Sequence, residues 1–531
     1  MCLPLKEGGL GIRSLSSINE GANLKMCWEL LNSNHHWAIF LKSRVLKKKK
    51  PIAYHVFSSI WSSIKHKFPD IQGNSFWNLG NGQDINFWMD NWCGAPLVEV
   101  LQIPENLHIF LTSTVDKFIV NHEWYVPDCV LQIFPNIQTI LNKVVIPLIE
   151  KEDSLVWKLT QNGELSFKDA YLYHSPLNNN ISWAKLIWNQ NIPPSKTLML
   201  WRCLLNKLPT DDNLATRGCQ LPSMCSMCLR SEETLHHLFI DCTFARSIWN
   251  WLSSITKIHC NYSSILDIVE MCNRGWSPLC KLIVLAAITY CLNIIWYCRN
   301  QRRFTDKNLN VRSAINLIIA GTSLSSNCSN LKANSTMTDF VMLRAFSVKM
   351  NYGNAPNIKE VMSHQMSQPP IMHWLKCNID GASNGNPGPS ACGGIFRDSN
   401  ADFIGAFAFN LGIANSLVAE LQGAMIAIEI ATQKGWNNLW LETDSILVTL
   451  AFKSSKIVPW QLRNRWENCK VKVFSMNFFV THVYREGNYC ADILANIGIS
   501  LQTHAWWDHI PSQIGSEFNR NRLGMTNFRF S

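Results

Sequence analysis

Between Trp374 and Ile499 the spacing of apolar residues changes in an order that few folds accommodate. Trp374–Asp380, Gly393–Arg397 and Asp402–Asn410 read as three consecutive strands. Ser416 to Gly435 then places Leu417, Leu421, Ala424, Ile428 and Ala431 on one helical face. Leu439–Thr443 and Phe478–Val483 are two further strands, and Asn488–Ile499 is a closing helix. Three strands, helix, strand, helices, strand, helix predicts an α/β fold with a mixed five-stranded sheet.

Four acids sit at informative places in that order. Strand alternation puts Lys376, Asn378 and Asp380 on one face, with Leu375, Cys377 and Ile379 on the other. Asp380 ends the first strand, and Asp444 ends the fourth. Glu420 lies in the first turns of the long helix, and Asp492 lies early in the last one. Taken singly, each is as readily an N-cap or an exposed turn residue. Together they can converge, and converging carboxylates cannot all ionise without cations. All-oxygen ligands suit Mg²⁺ or Mn²⁺. Two such ions can clamp the attacking and leaving oxygens of a phosphodiester. Nearby, Lys453, Lys456, Arg463, Arg465, Lys470 and Lys472 face only Glu467, with Trp460 and Trp466 interleaved. That pattern suits a nucleic-acid backbone; a solvated helix face is the alternative reading.

The remaining chain is long enough for about three or four domains. Hydrophobic residues make up 47% of the 531 and charged residues 16%, which suits packed domains. Net charge is +10, and residues 1–70 carry 11 Lys/Arg against four Asp/Glu. The run Lys47–Lys50 reads as a solvated face, with a phosphate contact or nuclear import signal as the sharper alternative. The 19 cysteines are scattered and follow no signal peptide, so an intracellular, reduced chain is expected. Leu282–Cys298 is nearly all apolar, but Asn293 interrupts it. A buried core helix is expected there rather than a membrane span. No membrane partner and no small-molecule cofactor are expected.

Gly8-Gly9-Leu10-Gly11 precedes an amphipathic helical region. Gly80-Asn81-Gly82 and Asn162-Gly163 each predict a β-hairpin. Residues 181–219 and 260–320 look helical, and 321–370 look like a loose connector. Cys225-x2-Cys228-x8-His237-x4-Cys242 has the spacing of a closed structural Zn²⁺ site, with His236 left open as an alternative ligand.

Several runs resemble the type 1 ribonuclease H family, in the form attached to plant non-LTR retroelement reverse transcriptases. They are Asn378-Ile379-Asp380-Gly381-Ala382, Ala419-Glu420-Leu421, Glu442-Thr443-Asp444-Ser445, and His482-Val483-Tyr484-Arg485-Glu486-Gly487-Asn488 with Ala491-Asp492. The resemblance implies hydrolysis of the RNA strand of an RNA–DNA hybrid, leaving 3′-hydroxyl and 5′-phosphate ends. It implies two Mg²⁺ (or Mn²⁺) on Asp380, Glu420, Asp444 and Asp492. His482 would be the loop histidine that assists proton transfer or product release, and Asn384 a contact to the hybrid. Phe167–Trp249 is similar to the zinc-binding domain that follows the polymerase in these elements. Leu3–Gly11 is similar to the end of the polymerase region, and no Tyr-x-Asp-Asp motif follows. The expected layout is a polymerase remnant at 1–50, a hairpin-containing connector at 51–165 and a zinc-binding domain at 166–255. A helical region at 256–320 and a linker at 321–371 follow. The ribonuclease H-like domain at 372–500 and a tail at 501–531 complete the layout. The overall class is α+β multidomain. A catalytically inactive nucleic-acid-binding retroelement relic is the second reading. A nuclear location would rest on the lysine run and the family alone.

Overall fold

The computed structural model describes residues 3–47, 50–52, 54, 56–175, 181–257, 263–350, 358–360, 369–523 and 528–530. Lys48 and Lys49 of the lysine run lie outside the described residues, as does most of 351–368. The chain divides into two compact units. One joins Met1–Ile18 to Ser175–Ala355; the other joins Asn19–His174 to Pro356–Ser531.

The C-terminal part of the second unit holds the acidic residues. Its elements are β1 Leu375–Ser383, β2 Gly388–Arg397, β3 Phe403–Ala414, α1 Ser416–Gln433 and β4 Asn438–Thr443. After them come α2 Ile446–Lys453, α3 Arg463–Phe474, β5 Asn477–His482, α4 Tyr489–Ser500, β6 His504–Trp507 and α5 Gly515–Arg522. The sheet order is β5-β4-β1-β2-β3-β6. β4 runs parallel to β1 and β5, and the other pairs are antiparallel. This is the mixed sheet expected, enlarged by one strand. Residues 501–531, expected to be a tail, supply that sixth strand and bury Ile514 and Phe518 against Leu494. The strand is only four residues long, which leaves little periodicity to read.

Period-two alternation sends Cys377 and Ile379 into the core under α1, with Leu421, Ala424 and Ile428 opposite. On the other face of β1, Asn378 reaches Asn488 at the start of α4. Two glycines permit the close packing. A Cβ on Gly381 would lie 2.4 Å from the Glu420 backbone nitrogen, and one on Gly393 would lie 2.5 Å from that of Ala495. No real Cβ contact is that short, so only glycine lets both helices approach the sheet this closely.

Residues 19–174 belong to the same unit. The two predicted hairpins do not form there as local hairpins. Ser75–Asn78 pairs instead with Ser154–Trp157, antiparallel and far apart in sequence. The Asp153 carboxylate explains the loop at Gly80: it accepts from the backbone N–H of Gly80 (2.7 Å), Gly82 (3.0 Å) and Asp84 (2.9 Å). The Gly163 turn does form, at φ +76°, and its carbonyl accepts from Trp157 N–H at 2.7 Å.

The first unit is largely helical. Its longest described helix, Pro278–Thr305, is apolar and long enough to cross a membrane, yet most of its apolar residues are buried inside the protein, as expected for Leu282–Cys298; Tyr297 and Phe304 are exposed. Helices Val311–Asn327 and Met337–Ala345 pack on it and bury Ile318, Met342, Leu343 and Phe346. The first half of the expected linker is therefore folded structure. Its Ser/Asn composition hides apolar residues at helical spacing.

Candidate metal centres

Asp380, Glu420 and Asp444 converge. One carboxylate oxygen from each lies within 4.8 Å of the others. The parallel register sets Thr443 beside Ile379, so the ends of β1 and β4 carry their acids side by side. Glu420 arrives from α1, whose N-cap Asn415 side chain accepts from Val418 N–H at 2.9 Å. Asp380 Oδ1 accepts from Gly381 N–H at 2.9 Å. Glu420 Oε2 and Asp444 Oδ1 are buried with no hydrogen-bond partner among the described residues. Burial, then Asp444 and Asp492, pushes the Asp380 carboxyl up to about 8. Burial and Asp380 raise Glu420 well above the carboxylate range, and burial raises Asp444. Fully ionised, the trio would carry negative charge that its own surroundings do not neutralise. That is the condition a divalent cation meets.

Asp492 stands beside this trio rather than inside it. It is partly exposed, and Arg485 Nη2 lies 3.5 Å from its Oδ1. Arg485 was not singled out from sequence, although it lies within the His482–Asn488 run. The charge of Asp492, and less strongly those of Asp380 and Asp444, raises the guanidinium's pKa further. His482 is exposed at the end of β5, with Nε2 3.1 Å from the Asp444 carbonyl oxygen. Asn384 is exposed in the β1–β2 turn.

The basic helix differs from expectation. Arg465 pairs with Glu429, Nη2 to Oε2 at 2.6 Å, and also reaches Gln422 on α1. Arg463 donates to the Asn162 carbonyl at 3.1 Å, and Lys470 to Ser455 Oγ at 3.3 Å. Trp460 and Trp466 are buried and do not interleave with the cations at the surface. Lys472 is half-buried, whereas Lys453 and Lys456 are exposed. Composition could not distinguish a cation facing solvent from one satisfying a carbonyl inside the fold.

In the first unit, Cys225, Cys228, His237 and Cys242 gather with ligand atoms within 4.8 Å of one another. Cys225 and Cys242 sulfurs are 3.9 Å apart, and Cys228 Sγ is 3.2 Å from His237 Nε2. Zinc–sulfur bonds near 2.3 Å set a tetrahedral edge of about 3.8 Å, which the Cys225–Cys242 separation matches. Geometry also decides between the histidines. His236 turns away to Asp241 (Nδ1 to Oδ2, 2.8 Å) and to the Ser263 carbonyl. Behind the cluster, sequence reading missed a buried ionic group. Arg299 binds Glu233 through Nε, at 3.1 and 3.0 Å. Arg303 binds Asp211 at 2.5 Å, and Arg302 donates to the Met227 carbonyl at 3.0 Å.

Two family models match this chain. Residues 165–249 match "zinc-binding in reverse transcriptase", and residues 378–498 match "reverse transcriptase-like". The chain carries a reverse-transcriptase zinc-binding domain followed by a ribonuclease H-like domain. A candidate ribonuclease H protein of Arabidopsis thaliana is 27% identical over 546 aligned residues, 99% of this chain and 84% of that protein. Ribonuclease HI of Halobacterium salinarum is 32% identical over 122 residues, 22% of this chain and 60% of that protein. The solved RNase H1 of the same archaeon is 27% identical and covers 24% of this chain and 96% of its own, with a TM-score of 0.22. A foamy viral protease-reverse transcriptase in complex with RNA/DNA hybrid is 17% identical, covers 32% of this chain and 27% of its own, and has a TM-score of 0.22. The ribonuclease H-like domain thus spans the acidic trio, and the zinc-binding domain spans the Cys/His cluster.

Proposed function

We propose that the protein is a divalent-metal-dependent endoribonuclease that hydrolyses the RNA strand of RNA–DNA hybrids. The convergence of Asp380, Glu420 and Asp444, buried and short of countercharge, is the observation that carries this reading. When bound, two Mg²⁺ or Mn²⁺ ions would supply neutralisation of charge on the phosphate and a more acidic attacking water. Asp380, Glu420 and Asp444 would hold them, with Asp492 completing the ligand set at the rim. His482, exposed beside Asp444, would take up or release a proton at the leaving oxygen. Lys453 and Lys456 remain the exposed cations of the basic stretch and are the candidates for phosphate contact. Cys225, Cys228, His237 and Cys242 would hold a structural Zn²⁺. The nucleic-acid partner and a nuclear setting belong to this same reading.

The test is a labelled RNA–DNA hybrid incubated with the full chain and Mg²⁺. The RNA strand should be cut to 3′-hydroxyl and 5′-phosphate ends, and Asp444→Asn should abolish cutting. A protein that retains the hybrid in a gel shift but never cuts it would support the inactive binding reading instead.

A further inference from the structure

Below the carboxylates lies a second set of polar side chains with no assigned role. Asn378 is two residues before Asp380 on β1, Glu442 two before Asp444 on β4, and Asn488 four before Asp492 at the start of α4. All three are buried, at 2%, 5% and 1% exposure, as is Lys376 at 1%. They form one connected chain. Asn378 Nδ2 donates to Glu442 Oε2 at 2.8 Å and faces Asn488 Oδ1 at 3.4 Å. Asn488 Nδ2 donates to the carbonyl of Ile379, the residue before Asp380, at 2.8 Å. Lys376 Nζ binds Glu442 Oε2 at 2.9 Å and sits 3.9 Å from the Trp440 ring centroid.

Burying an ion pair and two amides is costly. Apolar residues of similar volume often stabilise a core as well or better. What these groups supply that apolar ones cannot is direction. Each bond ties two of the elements β1, β4 and α4, within four residues of an acid along the chain.

We propose that Asn378, Glu442 and Asn488, anchored by Lys376, form a positioning frame that holds the ends of β1, β4 and α4 so that Asp380 and Asp444 meet Glu420 at one metal centre, with Asp492 at its rim. This rests on the metal-dependent nuclease reading above. The frame is not in contact with substrate. Its members are positioning residues that act through the acids.

The experiment uses the full, zinc-loaded chain and measures Mn²⁺ binding by electron paramagnetic resonance, the melting midpoint, and kcat and KM on the hybrid. Asn378→Ala and Asn488→Ala should weaken Mn²⁺ binding roughly 10- to 100-fold, the usual effect of losing an outer support of a metal ligand. kcat should fall while KM for the hybrid stays within about twofold, because the loss falls on the chemical step and not on substrate binding. Asn410→Ala is the control. Its amide donates to the Ile499 and Leu501 carbonyls at the far end of α4, at 3.1 and 2.8 Å. It should lower the melting midpoint and leave Mn²⁺ affinity alone. Asn378→Leu, close in size but with no donor or charge, replaces any alanine variant that fails to fold. Unchanged Mn²⁺ affinity in the frame variants, or an equal loss in Asn410→Ala, would overturn the proposal. So would a wild-type chain with no Mn²⁺ site at the acids. Wild type that binds Mn²⁺ but cuts nothing sinks the ribonuclease reading alone, and the frame is then judged on the affinities.

Discussion

At the residue scale, the acidic trio makes a prediction about proton release. Asp380 is held up to about 8 by burial and by Asp444 and Asp492. A carboxyl of the unfolded chain titrates near 4. Between those values the native chain keeps a proton that the unfolded chain has lost, so stability falls as pH rises. The contribution is complete below about pH 4 and gone above about pH 8. With magnesium left out, the melting midpoint of the ribonuclease H-like domain should fall between pH 5 and pH 8. Asp380→Asn should flatten that slope, and saturating Mg²⁺ should raise the midpoint most at the alkaline end. Calorimetry at three pH values checks all of this; a midpoint that rises over the window would contradict the charge balance described here. The acids themselves were legible in the sequence, because strand ends and helix starts fix where such residues project. Their pKa values were not, since these depend on burial and on neighbours distant in the chain.

At the element scale, the zinc-binding segment is braced by ions as well as ligands. Glu233 and Arg299 are both fully covered. Removing one member of a buried pair strands the other, at a cost of about 3–5 kcal/mol. Glu233→Ala should therefore lower the first unit's melting midpoint and speed zinc release to a chelating dye. Glu233→Gln, which keeps an acceptor for Arg299, should do less. Sequence spacing found the four residues that gather in the Cys/His cluster because a knuckle and the following turn impose local distances. It could not choose between His236 and His237, where one residue of offset decides which imidazole points inward. The ionic brace was invisible for a different reason: Arg299 lies 66 residues from Glu233, inside a stretch that reads as apolar helix.

At the scale of the whole molecule, the ribonuclease H-like domain does not end at its own helices. Residues 79–162 grip α3: Asn464 Nδ2 donates to the Leu79 carbonyl at 2.8 Å, and Lys151 Nζ to Asn464 Oδ1 at 2.7 Å. Asn468 Nδ2 donates to the Ile146 carbonyl at 2.8 Å, while its Oδ1 accepts from Leu148 N–H at 2.8 Å. Trp460 packs on Phe76 with ring centroids 5.0 Å apart. The sequence suggested a hairpin-containing connector because these residues have weak periodicity and their partners lie more than 300 positions away. Asn464→Ala should cost about 1–3 kcal/mol through the carbonyl and lysine left unpaired. It should also open residues 140–162 to limited proteolysis. Equal protease resistance of variant and wild type would show that the grip is dispensable.

The two units are interleaved along the chain, with 181 residues (175 to 355) of the first inserted between the two halves of the second. This imposes an order in time on a chain made from one end. At about 5–20 residues per second, the segment 19–174 leaves the ribosome roughly 10 to 40 s before the first strand that completes its unit. Until α3 itself follows, about 90 residues further on, Phe76 and the carbonyls of Leu79 and Ile146 have no partner there. Any message that stops early would leave that half without its partner.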